Sequence, residues 1–172
     1  MKELIQSALP YGVLVSHFVF IYFFFAFLNR NGWGKDTTRF VREYSLGLGL
    51  LISAVAVLGS LFYSNVVGFP PCDLCWWQRI FLYPQVVIFF TALWKRDRDA
   101  FRFTLPLSVI AVLISLYHSY IQISGNSILP CSATASCTKV YVLAFNYVTI
   151  PMMALTIGAY LLLLSLVAST HE

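Results

Sequence analysis

Charge is what this chain has least of. Its 172 residues include 11 Lys and Arg and 7 Asp and Glu, or 10 % charged, where a soluble domain carries about 25 %. So few charges cannot solvate the surface of a folded chain of this length. Lipid must therefore replace water over much of it, which excludes an ordinary water-soluble domain. Internal repeats, linkers and low-complexity runs are also missing, which excludes solenoids and strings of modules. The net charge of +4 is no nucleic-acid signal. Most of the basic residues fall in two short loops between apolar stretches, the pattern of cytoplasmic membrane loops. Cysteine is scarce too, at four residues, but those four are paired.

What the sequence has in abundance is apolar length, with 59 % hydrophobic residues. Five stretches are long enough, or nearly so, to cross about 30 Å of hydrocarbon: 11–28, 46–69, 76–94, 103–123 and 148–168. Each must be helical, because an isolated strand would leave its backbone groups unpaired in lipid. The expectation is an all-α integral membrane bundle. Trp76, Trp77, Trp94, Tyr120 and Tyr147 sit near the ends of these stretches, as interfacial aromatics do. Arg30, Lys35, Arg39 and Arg42 lie between the first two stretches, and Lys95, Arg96, Arg98 and Arg102 between the third and fourth. The opposite loops hold only Arg79 and Lys139, which predicts cytoplasmic basic loops, an outer N-terminus and an inner C-terminus. The first stretch has a long apolar run, a basic C-terminal flank and no small-residue cleavage site, so it reads as a retained anchor. Pro10, Pro106 and Pro151 mark helix starts, and Pro84, deeper in the third stretch, predicts a kink.

Both cysteine pairs then fall on the outer, oxidising face. The first pair sits in Pro70-Pro71-Cys72-Asp73-Leu74-Cys75-Trp76-Trp77-Gln78-Arg79. The prolines end an extended approach, and a helix begins at or near Cys72. A thiol in the first helical turn feels the positive end of the macrodipole, which favours its thiolate. Arg79, four residues after Cys75, lies one turn deeper on the same face. Its guanidinium can stabilise a Cys75 thiolate or pair with a ligand oxygen. Cys131 and Cys137 flank five small, mostly polar residues, Ser132 to Ser136, which predict an exposed, mobile loop. A disulfide closing so short a loop adds modest stability and is of the labile, exchanging kind. Two structural disulfides, with Arg79 as an interfacial anchor, are the alternative reading. Four thiolates around zinc are a third, opposed by the oxidising face.

The fourth stretch carries His118 and Gln122, four apart on one helix face, with His118 roughly 9 Å below the outer end at about 1.5 Å per residue. Ionisable groups inside a membrane point to function. This histidine is placed to donate a hydrogen bond or a proton to a lipid-soluble acceptor, the alternative being a hydrogen bond to a neighbouring helix. His17, in the first stretch, has no such companions and reads as a packing or interfacial residue.

These residues together resemble the DsbB/BdbC family of membrane thiol:disulfide oxidoreductases. The likeness is carried by Cys72-Asp73-Leu74-Cys75-Trp76-Trp77-Gln78-Arg79 with Tyr83-Pro84, by Tyr117-His118 with Gln122, by Cys131 and Cys137, and by Ile150-Pro151-Met152-Met153-Ala154-Leu155-Thr156. It runs from about residue 45 to the C-terminus, and the close second pair resembles the BdbC branch. The resemblance implies a four-helix oxidoreductase core at 45–172, preceded at 1–44 by an extra N-terminal transmembrane helix and a cytoplasmic loop. It implies a location in the bacterial cytoplasmic membrane. It also implies a direction of electron flow. A reduced extracytoplasmic thioredoxin-fold partner, similar to DsbA or BdbD, reduces the Cys131–Cys137 disulfide. That pair is reoxidised by Cys72–Cys75, and Cys75 passes electrons to a membrane quinone, ubiquinone or menaquinone. Arg79 would hold the quinone, with Gln78, His118 and Gln122 as further binding candidates.

The rivals make distinct expectations. A non-enzymatic membrane assembly protein would never show reduced thiols during turnover. A cysteine metal site or transporter would bind metal stoichiometrically. A quinone reductase resembling vitamin K epoxide reductase would carry its CxxC at the end of the helical core, which this chain does not.

Overall fold

The computed structural model describes residues 2–126 and 136–169, with the backbone alone for 2–7. Six α-helices follow one another: α1 (Lys2–Leu28), α2 (Lys35–Glu43), α3 (Ser45–Leu61), α4 (Asp73–Lys95), α5 (Ala100–Ser124) and α6 (Ile150–Ser169). A π-helical turn, Phe62–Val66, extends α3. The described residues contain no strand, only an isolated bridge between Ala144 and Val148. This is the expected all-helical membrane bundle.

Among the described residues, four stretches are long and apolar enough to cross a membrane: Ala8–Leu28, Ser45–Val66, Ala100–Ser124 and Ile150–Ser169. At 23 residues α4 is as long, but Gln78, Arg79 and Gln85 lower its hydropathy. Gln78 and Gln85 are buried, while Ile80, Val87, Phe90 and Trp94 are exposed, so α4 turns polar residues inward and apolar ones outward. That pattern suits a fifth span. Trp94 is 80 % exposed and Ile123 89 %. Such surfaces would aggregate in water and are what lipid covers.

The bundle is stitched by small residues and polar side chains, as membrane helices require. A methyl group on Gly49 of α3 would stand 2.5 Å from the Phe89 ring of α4, so only glycine allows that approach. Ser108 of α5 donates to Gln85 Oε1 at 3.2 Å, and Thr104 meets Ser165 at 3.3 Å. Val41, Phe101 and Val167 share one apolar cluster, which brings α2, the start of α5 and the end of α6 to one end of the bundle. The basic loops lie there. Cys72, Ile121 and Cys137 share another cluster.

Two local features differ from the sequence expectation. Helix α1 starts at Lys2 and runs through Pro10. Helix α2 forms inside the first basic loop, with Asp36 in its first turn, Arg42 in its last and Val41 buried. That charge order suits the helix dipole. The segment before α6 folds into a turn, with Phe145 and Asn146 in left-handed conformation at φ 53° and 62°.

Candidate functional site

The connection into α4 sets the first cysteine. Gly68, at φ 90°, and the two prolines bring the chain in extended. Cys72 is the N-cap of α4, and its sulfur accepts the Cys75 amide N–H at 3.4 Å. The two sulfurs are 2.8 Å apart and both thiols are free. A small movement separates this from an S–S bond of about 2.05 Å.

His118 comes in from α5. Its Nε2 lies 3.7 Å from Cys72 Sγ and 3.2 Å from the Cys137 carbonyl oxygen. A carbonyl only accepts, so Nε2 carries the proton. Nδ1 then accepts from Gln78 Nε2 at 3.4 Å. Gln78 thereby fixes the ring orientation through a buried contact. Cys137 is itself disulfide-bonded and 1 % exposed. Cys131 lies outside the described residues. Cys72, Cys137 and His118 therefore stand together, although 65 positions separate the two cysteines in sequence.

The Cys72 thiol is held down to about 4, chiefly by a hydrogen bond from the Cys75 S–H and further by His118, against burial, which raises it. An ordinary thiol titrates at about 8.5, so the folded value is depressed and the thiolate is lost only as pH falls through about 4. With the second pair oxidised and the first reduced, the ultraviolet thiolate absorbance is expected to stay level from about pH 8 to about pH 5, then fall. Cys72→Ser should remove that low-pH step. A single step near an ordinary thiol value in the unmodified protein would show that neither neighbour acts on Cys72.

Arg79 is one turn below Cys75 on α4, and its head group turns to α3. Its Nε donates to Ser60 Oγ at 3.0 Å and its Nη2 to the Ser60 carbonyl at 3.4 Å. The guanidinium carbon is 4.9 Å from the Trp76 ring centroid and 5.9 Å from that of Tyr83, a cation–π setting that holds the charge among apolar groups. Gln122 donates to the Lys139 carbonyl at 3.1 Å, tying α5 to the segment after Cys137. Tyr141 of that segment stacks on Phe69 at 4.8 Å, and Phe69 stacks on Tyr63 at 6.2 Å.

These side chains border a cavity of about 680 Å³, within the range of about 300–1,000 Å³ typical of ligand sites. Cys72, Cys75, Gln78, Arg79, His118 and Gln122 all line it. So do Tyr63 and Tyr83, whose buried hydroxyls have no hydrogen-bond partner among the described residues, as is true of Gln122 Oε1. A buried, unpartnered polar atom costs about 1–3 kcal/mol, so a ligand with oxygen atoms fits here. Sequence reasoning missed Tyr63 and Ser60. A π-helical turn often marks a functional position, but nothing in Phe62-Tyr63-Ser64 announces one. The ligand atoms of Cys72, Cys75 and His118 also lie within 4.8 Å of one another. Four thiolates are not presented together, because Cys137 is already in a disulfide.

The profile of the family described as "Disulfide bond formation protein DsbB" matches residues 42–168. The SPbeta prophage-derived disulfide bond formation protein B of Bacillus subtilis is 38 % identical over 118 residues, covering 68 % of this chain and 79 % of the relative. A probable disulfide formation protein C 2 of Bacillus cereus is 32 % identical over 133 residues, covering 77 % and 96 %. A probable disulfide formation protein C 1 of the same species is 42 % identical over 120 residues, covering 66 % and 84 %. No solved structure matches the chain significantly.

Proposed function

Since the chain belongs to the DsbB family of disulfide bond formation proteins, and is thus a multi-pass membrane thiol:disulfide oxidoreductase, we propose that it carries electrons from an extracytoplasmic dithiol protein to a membrane quinone. One observation carries this reading. The Cys72–Cys75 dithiol opens onto an apolar cavity that also holds a cation and two unpartnered phenol groups. A quinone has an apolar ring and tail and two carbonyl oxygens, so the donors Arg79, Tyr63 and Tyr83 suit it. When bound it supplies an acceptor for two electrons and two protons.

In this proposal the partner's thiolate attacks Cys131, and Cys137 leaves as the thiolate. The partner's second thiol then releases the partner as a disulfide. The reduced second pair attacks the Cys72–Cys75 disulfide at Cys72, and Cys137 bonds to Cys72. Cys75 is left as the free sulfur beside Arg79. It no longer donates to a Cys72 anion, and the guanidinium and the helix N-terminus favour its thiolate. Resolution by Cys131 restores the outer disulfide and leaves both electrons on Cys72 and Cys75. The described redox state matches that point, with the first pair reduced and Cys137 disulfide-bonded. His118 keeps its Nε2–H on Cys72 and on the Cys137 backbone, steadying the sulfur as its charge changes. The thioredoxin-fold partner, the bacterial cytoplasmic membrane and the outer placement of the cysteines belong to the same proposal.

The test mixes purified protein, a quinone and a reduced thioredoxin-fold protein, following quinone absorbance and partner thiols together. One quinone is expected to be reduced for each partner disulfide made. An impermeant maleimide should label the reduced cysteines in intact cells. A partner that stays reduced would leave the non-enzymatic assembly reading standing. Labelling only after permeabilisation would reverse the topology.

A further inference from the structure

Helix α1 lies wholly ahead of the segment that matches the family, which begins at residue 42. It nevertheless borders the cavity, through Leu9, Gly12, Val13 and Ser16. It is tied in place by polar contacts. Thr156 spends its hydroxyl proton on the Met152 carbonyl, so its oxygen accepts from His17 Nε2 at 2.9 Å. His17 Nδ1 then accepts from the Tyr147 hydroxyl at 3.2 Å. Tyr160 donates to the Ser16 carbonyl. Leu9 and Val13 also pack on the cluster of Tyr63, Val148 and Met153. Such interhelical hydrogen bonds fix a helix in lipid, where apolar contact alone gives little preference for a neighbour.

The cavity is elongated. Along α3 it runs from Tyr63 to Leu51, about 18 Å at about 1.5 Å per residue. Arg79, held by Ser60, and Tyr63 lie toward one end. Leu51 and Val55 mark the other, two to three turns away. A ring with two oxygens fills only the polar end. Two glycines leave the wall open where the apolar part begins, since Gly59 adjoins Ser60 and Gly12 adjoins Val13, which packs on the Tyr63 cluster. A Cβ on Gly12 of α1 or on Gly59 of α3 would meet nothing within 4 Å, and both residues line the cavity. Gly47 of α3 also has free space around it but lies off the cavity wall.

We propose that α1 completes a channel for the apolar tail of the membrane acceptor, with Gly12 and Gly59 setting its bore. The inference rests on the quinone reading above and adds a part of the ligand and a helix to it. It makes the protein selective for long-tailed quinones and assigns α1 a binding role.

The experiment measures quinone dependence of turnover with a long-tailed menaquinone and with menadione, the same ring without a tail. Ubiquinone and its tail-free ring run in parallel. Gly12→Leu is expected to raise the apparent KM for the long-tailed quinone about tenfold, the scale of a side chain intruding on an apolar pocket, and to leave menadione nearly unchanged. Gly59→Leu should do the same. Gly47→Leu, equally bulky but facing lipid, should change neither. Exchange of the partner with the second cysteine pair serves as the folding control, and Gly12→Ala gives a graded form of the effect. If Gly12→Leu and Gly59→Leu behave as Gly47→Leu, or shift both quinones equally, the channel is wrong. If the unmodified protein reduces no quinone, the quinone reading fails first and the channel falls with it.

Discussion

Cys75→Ser is expected to stop quinone reduction, with a loss of about 10³-fold or more, the scale seen when a reacting nucleophile is removed. The loss is confined to one step. Cys72 remains at the N-cap, next to His118 and in one apolar cluster with Cys137, so exchange between the second pair and the partner should continue through a single turnover. Cys137→Ser should fail earlier. Without that cysteine there is no outer disulfide for the reduced partner to open, so partner oxidation should stop, and the lone Cys131 should hold an oxidised partner only as a mixed disulfide on non-reducing gels. The two variants therefore separate the quinone end of the relay from the partner end. Full turnover by a chain lacking both Cys131 and Cys137 would show that electrons do not pass through the second pair.

Arg79→Ala should weaken apparent quinone affinity by about 10- to 100-fold, as loss of a charged hydrogen-bond donor of about 1.5–3 kcal/mol implies. The head group already spends donors on Ser60. That anchoring holds the guanidinium between Trp76 and Tyr83 at the cavity wall, where its remaining N–H groups can meet a carbonyl. Arg79→Lys should recover only part of the affinity. An ammonium keeps the charge but cannot hold Ser60 and a ligand at once with the geometry of a planar fork. Partner exchange at the second pair should be unaffected in both variants. Measured quinone dependence is the readout. An unchanged dependence in Arg79→Ala would reduce Arg79 to an anchor between α3 and α4 and would move the quinone site elsewhere.

Much of this was decided by local sequence. The long apolar stretches had to be helices because lipid offers the backbone no other partner, and they are. The prolines before Cys72 and the start of apolar periodicity after it fixed the cysteine at a helix head. The spacing from Cys75 fixed Arg79 one turn deeper. Each of these depends on neighbours within a few residues. Helix α2 escaped notice because its nine residues are mostly charged and only Val41 is buried. Pro10 seemed to mark a helix start, yet α1 runs through it.

Only the tertiary structure decided the partners. His118 could be assigned to a membrane site from sequence, but not to Cys72, Cys137 and Gln78, which lie 46, 19 and 40 positions away. For the guanidinium of Arg79 the sequence offers Cys75 or a ligand oxygen as neighbours, and packing of α3 against α4 adds Ser60. Tyr63 resembled any interfacial aromatic until the π-helical turn placed its hydroxyl in the cavity. The place of α1 was equally out of reach, because its role depends on hydrogen bonds that tie His17 and the Ser16 carbonyl to Tyr147, Thr156 and Tyr160, near the other end of the chain. Helix formation in lipid is settled by the composition of one segment. Which faces meet is settled by shape and hydrogen bonds between segments, and no single stretch of sequence contains both sides of such a contact.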